Sequence, residues 1–89
     1  MVETTITVIN KLGLHARAAS KFVTTASAFA ASTTVSKDGR SVDGKSIMSI
    51  MMLAASQGSQ LHIACEGEDE NLALDAITAL INDYFGEGE

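Results

Sequence analysis

The chain holds two histidines, and His15 stands in Gly13-Leu14-His15-Ala16-Arg17, where a β-branched stretch gives way to an alanine-rich one. A helix usually opens on Ser, Thr, Asp or Asn, whose side chain accepts a hydrogen bond from an orphan backbone N–H. None of these lies between Lys11 and Ala19, and His15 takes the boundary position instead. A neutral imidazole nitrogen is both an acceptor and a nucleophile. A phosphoryl group carried on it would set anionic oxygens against the free N–H groups and the positive end of the helix dipole. The same dipole disfavours imidazolium and so favours a neutral, nucleophilic ring. Arg17 could turn a planar fork of donors toward that anion, and Gly13 offers no side chain to obstruct a partner and can adopt a turn closed to other residues. From these residues alone, a chemically indifferent histidine at a helix start is the simpler reading, and both readings stand.

The other reactive types carry weaker signals. His62 is expected to face solvent from a strand, with no second metal ligand near it in sequence. Cys65 shares the apolar side of that strand with Leu61 and Ile63 and reads as an inert buried thiol. Glu68-Asp69-Glu70 suits the electropositive start of a helix and lacks a calcium-binding loop. No metal and no cofactor are expected. A small acyl-phosphate hydrolase is disfavoured because no carboxylate or amide neighbours His15–Arg17 in sequence.

These residues need elements to hold them. Glu3–Ile9 is β-branched almost throughout and predicts a strand. Ala16–Ala28 places Ala18, Ala19, Phe22, Val23 and Ala26 at helical spacing. Thr33–Ser36 and Arg40–Asp43 flank Asp38-Gly39, a pair suited to a tight hairpin turn. Ser46–Ala55 predicts a second helix with Ile47, Ile50, Met51 and Ala54 on one stripe, closed near Gly58 by a left-handed cap. Gln60–Cys65 alternates as a strand. A third helix follows from Glu68, running on Ala73, Ile77, Leu80, Ile81 and Tyr84, and the Gly86–Glu89 tail is expected to fray. The order βαββαβα predicts an α+β fold, an open-faced sandwich with a four-stranded antiparallel sheet covered on one face by three helices. One domain over residues 1–89 is expected.

Composition narrows the function. Hydrophobic residues make up 46% of 89 residues and aromatics only 4%. A chain this short has a thin core, and a shallow surface site is the better expectation than a deep cleft. A lone cysteine excludes an intrachain disulfide and a multi-thiolate zinc cage. With neither a signal-peptide pattern nor an apolar run of about 20 residues, the cytoplasm is expected and a membrane partner is not. The net charge is −5, but residues 1–45 carry all six cations and three acids, and the remainder carries eight acids with no Lys or Arg. An acidic chain without a basic stripe disfavours nucleic acid. The cations near Arg17 and Lys21 suit an acidic partner surface or an anion.

Three segments add a resemblance. Asn10-Lys11-Leu12-Gly13-Leu14-His15-Ala16-Arg17 resembles the active-site segment of the histidine-containing phosphocarrier (HPr) family of the bacterial phosphotransferase system. Gly44-Lys45-Ser46-Ile47-Met48, continuing to Met51, is similar to that family's regulatory serine segment, and Glu66-Gly67-Glu68-Asp69-Glu70 to the start of its last helix. The three are correctly spaced, and the resemblance covers essentially the whole chain. It implies that His15 accepts a phosphoryl group on Nδ1, that Arg17 steadies it, and that the backbone of Ala16 and Arg17 contacts it. It also implies regulatory phosphorylation of Ser46 by a dedicated HPr kinase/phosphorylase and docking through Ser20, Lys21, Ile47, Met48 and Met51. The implied donor is enzyme I and the implied acceptor an enzyme IIA-type protein, with the carrier a monomer and not itself an enzyme. One departure is Ala18, where the family usually has proline. That exchange bears on the stiffness of the first helical turn. It also bears on whether the partners belong to sugar transport or to a nitrogen-related branch, in which the chain would act mainly as a regulatory binding module.

Overall fold

The computed structural model describes residues 1–88. Strand β1 (Val2–Thr7) alternates half-buried and exposed residues, as a strand with one wet face must. Helix α1 (Ala16–Ser27) buries Ala18, Ala19, Phe22 and Ala26. The hairpin of β2 (Ser32–Lys37) and β3 (Arg40–Asp43) turns on Asp38 and Gly39, both at positive φ (51° and 82°), as the favoured two-residue hairpin turn requires. Helix α2 (Ile47–Met52), strand β4 (Gln60–Glu66) and helix α3 (Glu70–Asn82) follow. The four strands form one antiparallel sheet in the order β1-β4-β2-β3. The predicted α+β architecture and element order are present.

One face of the sheet supplies Val8, Val35, Leu61, Ile63 and Cys65 to a continuous core with Phe22, Ile50, Ile77 and Ile81 from the helices, all fully buried. Burying one such aliphatic or aromatic side chain contributes about 1.5–3 kcal/mol. The other face is polar. There His62 bridges strands, its Nε2 lying 2.9 Å from Glu3 Oε1 and its Nδ1 3.2 Å from Thr5 Oγ1. Cys65 is buried against Thr33 Oγ1 at 3.6 Å.

Several boundaries differ from expectation. β1 stops at Thr7, although buried Val8 still exchanges backbone bonds of 2.8 Å with Gly58 and Ser59. α2 is shorter than Ser46–Ala55, with Ser46 as its N-cap and Leu53 as its C-cap. Its left-handed residue is Ala54 (φ 51°), not Gly58. That conformation costs a non-glycine residue about 1–2 kcal/mol. It allows Leu53 and Ala55, on either side, both to be buried. The single stripe Ile47-Ile50-Met51-Ala54 also fails, because only Ile50 of the four is buried. α3 ends at Asn82, so Tyr84 lies beyond it in a short 3-10 turn (Tyr84–Gly86). That tail does not fray: Phe85 is fully buried and holds residues 84–88 against the body of the protein. An aromatic side chain in the core outweighs the entropy of a few ordered residues only when further contacts help, and those contacts lie at the site. Glu89 lies outside the described residues.

Candidate functional site

The chain turns into α1 through a tight approach of two loops. Gly13, at φ 66°, is buried, and a Cβ there would stand 2.4 Å from Ala55 O and 2.8 Å from Ser56 Cα. Leu14 N–H donates to Ala55 O at 2.8 Å. Gly13 thus takes the turn conformation expected of it, and packing within the molecule is a second reason for a glycine here. His15 follows as the N-cap, with extended backbone (φ −74°, ψ 178°).

Its imidazole does not cap the helix. The ring turns away, and Nε2 meets the Glu87 Oε2 carboxylate oxygen in a close contact. Among the described residues, no acceptor is supplied to the N–H groups of Ala16, Arg17 and Ala18; Ala16 and Arg17 are exposed, and Ala18 is fully buried. The two exposed donors, with the positive end of a 12-residue helix, make an anion-receptive surface directly after His15. Arg17 is exposed and hydrogen-bonds to nothing among the described residues, so its guanidinium is available to the same region.

Glu87 is held from two further sides. Asn10 is fully buried, and its amide Nδ2 donates to Gly13 O at 2.8 Å and to Glu87 Oε1 at 2.9 Å. Asn10 Oδ1 has no partner among the described residues. Burial pushes the Glu87 carboxyl up, but the hydrogen bonds from Asn10 and His15 and the charges of His15 and Lys21 outweigh it. The carboxyl sits below the ordinary glutamate value. Lys21 Nζ donates to Phe85 O at 2.6 Å, fastening the tail that carries Glu87.

Asn10 belongs to the segment that carries the active-site resemblance, without a role of its own there, and Glu87 is not among the site residues that the sequence predicts. The absence of a carboxylate or amide beside His15–Arg17 in sequence does not hold in space. The available signal was Phe85, one of few aromatic residues, placed between an exposed tyrosine and a glycine in the tail. A large apolar side chain there has to go somewhere.

Around the site, Ser20 is exposed at the surface of α1 while Lys21 is half-buried and engaged with the tail. Met48 (67% exposed), Ile47 (38%) and Met51 (39%) form an apolar patch on α2 with Met52, and Leu12 on the loop before α1 is exposed as well. Ile50 and Leu53 of the same segment point inward and are buried. Ser46 Oγ accepts from Ser49 N–H at 3.4 Å, a long capping bond. At the start of α3, Asp69 does not cap its own helix. Its two carboxylate oxygens instead accept from Ala30 N–H (2.9 Å) and Ala31 N–H (2.8 Å), tying α3 to the α1–β2 loop. The Ala30 bond, followed by the Ala31 bond and the charge of Lys45, outweighs burial and lowers its carboxyl below the ordinary value. Among the described residues no cluster of three or more His, Cys, Asp or Glu could hold a metal ion, and no helix is long and apolar enough to cross a membrane.

The fold and the site together define a small open-faced sandwich whose first helix starts on an uncapped histidine. A family model described as the PTS HPr component phosphorylation site matches residues 2–83. The chain is 53% identical to the phosphocarrier protein HPr of Neisseria meningitidis over 89 residues, covering all of both chains. It is 56% identical to that of Pseudomonas aeruginosa over 85 residues, or 94% of each. The crystal structure of HPr-C-His from Thermoanaerobacter tengcongensis superposes with a TM-score of 0.95 at 49% identity, covering 98% of each chain. The chain belongs to the HPr family, the phosphocarriers of the bacterial phosphotransferase system.

Proposed function

We propose that this chain accepts a phosphoryl group on Nδ1 of His15 from phosphorylated enzyme I and passes it to a histidine of an enzyme IIA-type protein. The observation that carries the reading is the uncapped start of α1, where His15 is followed by the unpartnered N–H groups of exposed Ala16 and Arg17. These donors suit the oxygens of a phosphoryl group. Arg17, with its free planar fork, steadies the same charge. The N–P bond broken on the donor and the N–P bond made on His15 are alike, so the protein needs to supply position and charge complementarity more than deep transition-state binding.

Docking falls to the exposed Ile47, Met48 and Met51 patch with Ser20; contiguous exposed apolar surface marks an interaction site. Lys21 contributes through the tail it fastens as well as through its charge. Phosphorylation of Ser46 by a dedicated kinase would put negative charge at the edge of that patch and weaken the encounter. The chain acts as a cytoplasmic monomer and as substrate rather than catalyst, without nucleic acid, membrane or cofactor. High identity over the full length to proteins named phosphocarrier protein HPr supports sugar-type carriage over a purely regulatory binding role.

The test is incubation with phosphoenolpyruvate and purified enzyme I, followed by mass mapping of the label. Acid-labile phosphate on His15 is the expected result. Acid-stable phosphoserine alone would make the chain a regulatory module, and steady turnover of a small acyl phosphate by the isolated protein would make it a hydrolase.

A further inference from the structure

We propose that Glu87 is a positioning residue that keeps the proton of His15 on Nε2 throughout the phosphoryl-transfer cycle, so that Nδ1 attacks with a free lone pair and departs from a protonated ring. The inference rests on the reading of His15 as phosphoryl acceptor. An ionised carboxylate can only accept a hydrogen bond. The Glu87 carboxyl is held below its ordinary value, so at neutral pH it is ionised and the nitrogen facing it, Nε2, must carry the hydrogen. A neutral imidazole has one N–H, which leaves the lone pair on Nδ1. Nδ1 makes no hydrogen bond among the described residues.

The contact is built, not incidental. Buried Asn10 orients the second carboxylate oxygen, Lys21 holds Phe85 O, and buried Phe85 fixes the tail. To reach this position the chain takes left-handed backbone at Tyr84 (φ 58°), Phe85 (53°) and Gly86 (76°). The first two are not glycine and cost about 1–2 kcal/mol each. Lys11 and Arg17 flank His15 in sequence, and Lys21 on α1 acts on Glu87; all three are cations. The Leu53–Ser56 segment behind Gly13 has no ionisable group. Glu87 is the one acid in contact with the His15 ring among the described residues.

The proton count closes. On acceptance, the Nδ1 lone pair forms a bond to phosphorus while the donor's N–P bond breaks and its electron pair stays with the donor ring. His15 becomes a phosphoimidazolium, still protonated at Nε2, against the Glu87 carboxylate. On transfer, the Nδ1–P bond breaks, the pair returns to the ring, and the neutral Nε2–H imidazole is restored. No proton need enter or leave. Without the carboxylate, the phosphorylated ring sheds its Nε2 proton at lower pH, and the departing group would be an imidazolate, a much poorer one.

The experiment is 15N NMR of the His15 ring against pH, before and after phosphorylation, in the parent, Glu87→Gln and Glu87→Asp proteins. The parent should show the Nε2–H tautomer when neutral. An opposite charge in contact shifts a titration by about one unit or more, so the phosphorylated ring of Glu87→Gln should lose its proton about one pH unit lower. Above that pH its transfer to an acceptor should slow about tenfold, the equivalent of one unit, while melting temperature falls only modestly, by the stabilisation that a lowered carboxyl contributes at neutral pH. Glu87→Asp, which keeps the charge, should recover part of the shift. An Nδ1–H tautomer in the parent, or identical titrations in parent and Glu87→Gln, would overturn the proposal and leave Glu87 a latch for the tail. Label mapping away from His15 would instead defeat the carrier reading, while the tautomer of the unphosphorylated ring would still judge Glu87.

Discussion

Helices α1 and α2 both start from a residue with extended backbone and differ in what that residue does with its side chain. His15 and Ser46 are both extended N-caps (φ −74°, ψ 178° and φ −115°, ψ 113°). Ser46 turns its oxygen inward onto Ser49 N–H, so that start is partly satisfied from within. His15 turns its ring outward onto Glu87, and the first N–H groups of a helix twice as long stay unclaimed (12 residues against 6). One start is closed and structural, and the other is open and receptive to an anion. The difference teaches that a good helix cap and a good phosphoryl site are competing uses of the same donors. A residue that leaves the donors free carries a stability cost, and the well-packed face of Ala18, Ala19, Phe22 and Ala26 offsets it.

The sharpest break of this contrast is His15→Ala. Phosphate acceptance from enzyme I should vanish, because no other nucleophile stands at the open start. The ring makes no cap bond and is partly exposed, so the fold should survive. Calorimetry beside the labelling assay checks both halves. A large fall in melting temperature, or label still accepted, would refute the assignment.

Arg17→Lys comes next. It keeps the charge but loses the planar fork, and a hydrogen bond to a charged group is worth about 1.5–3 kcal/mol. Transfer should slow roughly tenfold or more, while donor binding changes less. Equal losses in rate and in binding would make Arg17 a docking charge only.

The third helix start sharpens the comparison through pH. Asp69, the N-cap of α3, gives both oxygens to the backbone of another segment, and Glu70 accepts from Gly67 N–H at 3.1 Å. Both carboxyls are lowered from their ordinary values of 3.8 and 4.5, Asp69 chiefly by the Ala30 N–H and Glu70 chiefly by the Gly67 N–H. A depressed carboxyl stabilises the fold above its unfolded-state value and loses that contribution as pH falls through its folded value. Melting temperature should therefore drop on acidification below about pH 4. In Asp69→Asn the neutral-pH value should be lower and the acid drop shallower. Parallel melting curves over that pH range in the two proteins would refute this account of the clamp.

How much of this was legible in the sequence follows from range. Periodicity placed the elements, and Asp38-Gly39 its turn, because both are local. His15 and Ser46 at helix starts were legible for the same reason. Asp69 was read as helix-end electrostatics, yet its partners lie almost 40 residues away at Ala30 and Ala31, and no local pattern encodes them. The tail misled for the related reason that glycine-flanked acids look like a frayed end until Phe85 is given a place to bury. At Gly13 the turn conformation is local and legible, whereas the close approach of Ala55 O and Ser56 Cα comes from a distant segment that no local pattern encodes.

The smallest expected effect belongs to the closed start. Ser46→Ala removes one capping bond that is already long at 3.4 Å. It should cost stability toward the lower end of the roughly 0.5–2 kcal/mol range for such caps, with phosphoryl acceptance at His15 unaltered. Ser46→Asp restores an acceptor and adds a charge at an electropositive helix end, a favourable effect of about 0.3–1 kcal/mol. Its melting temperature should stay level or rise slightly. The same charge adjoins Ile47 and Met48, both exposed, where a partially acidic and apolar partner face would have to seat. Phosphorylation by enzyme I should slow several-fold with a higher apparent donor KM, an encounter penalty of about 1 kcal/mol for one misplaced charge. Raising the salt concentration should narrow that gap, since exposed charges are screened within about 10 Å at 0.1 M. Steady-state phosphorylation of the two variants at low and high salt, beside their melting curves, tests the point. If Ser46→Asp accepts phosphate as fast as the parent at every salt concentration, the closed start is a helix cap and nothing more.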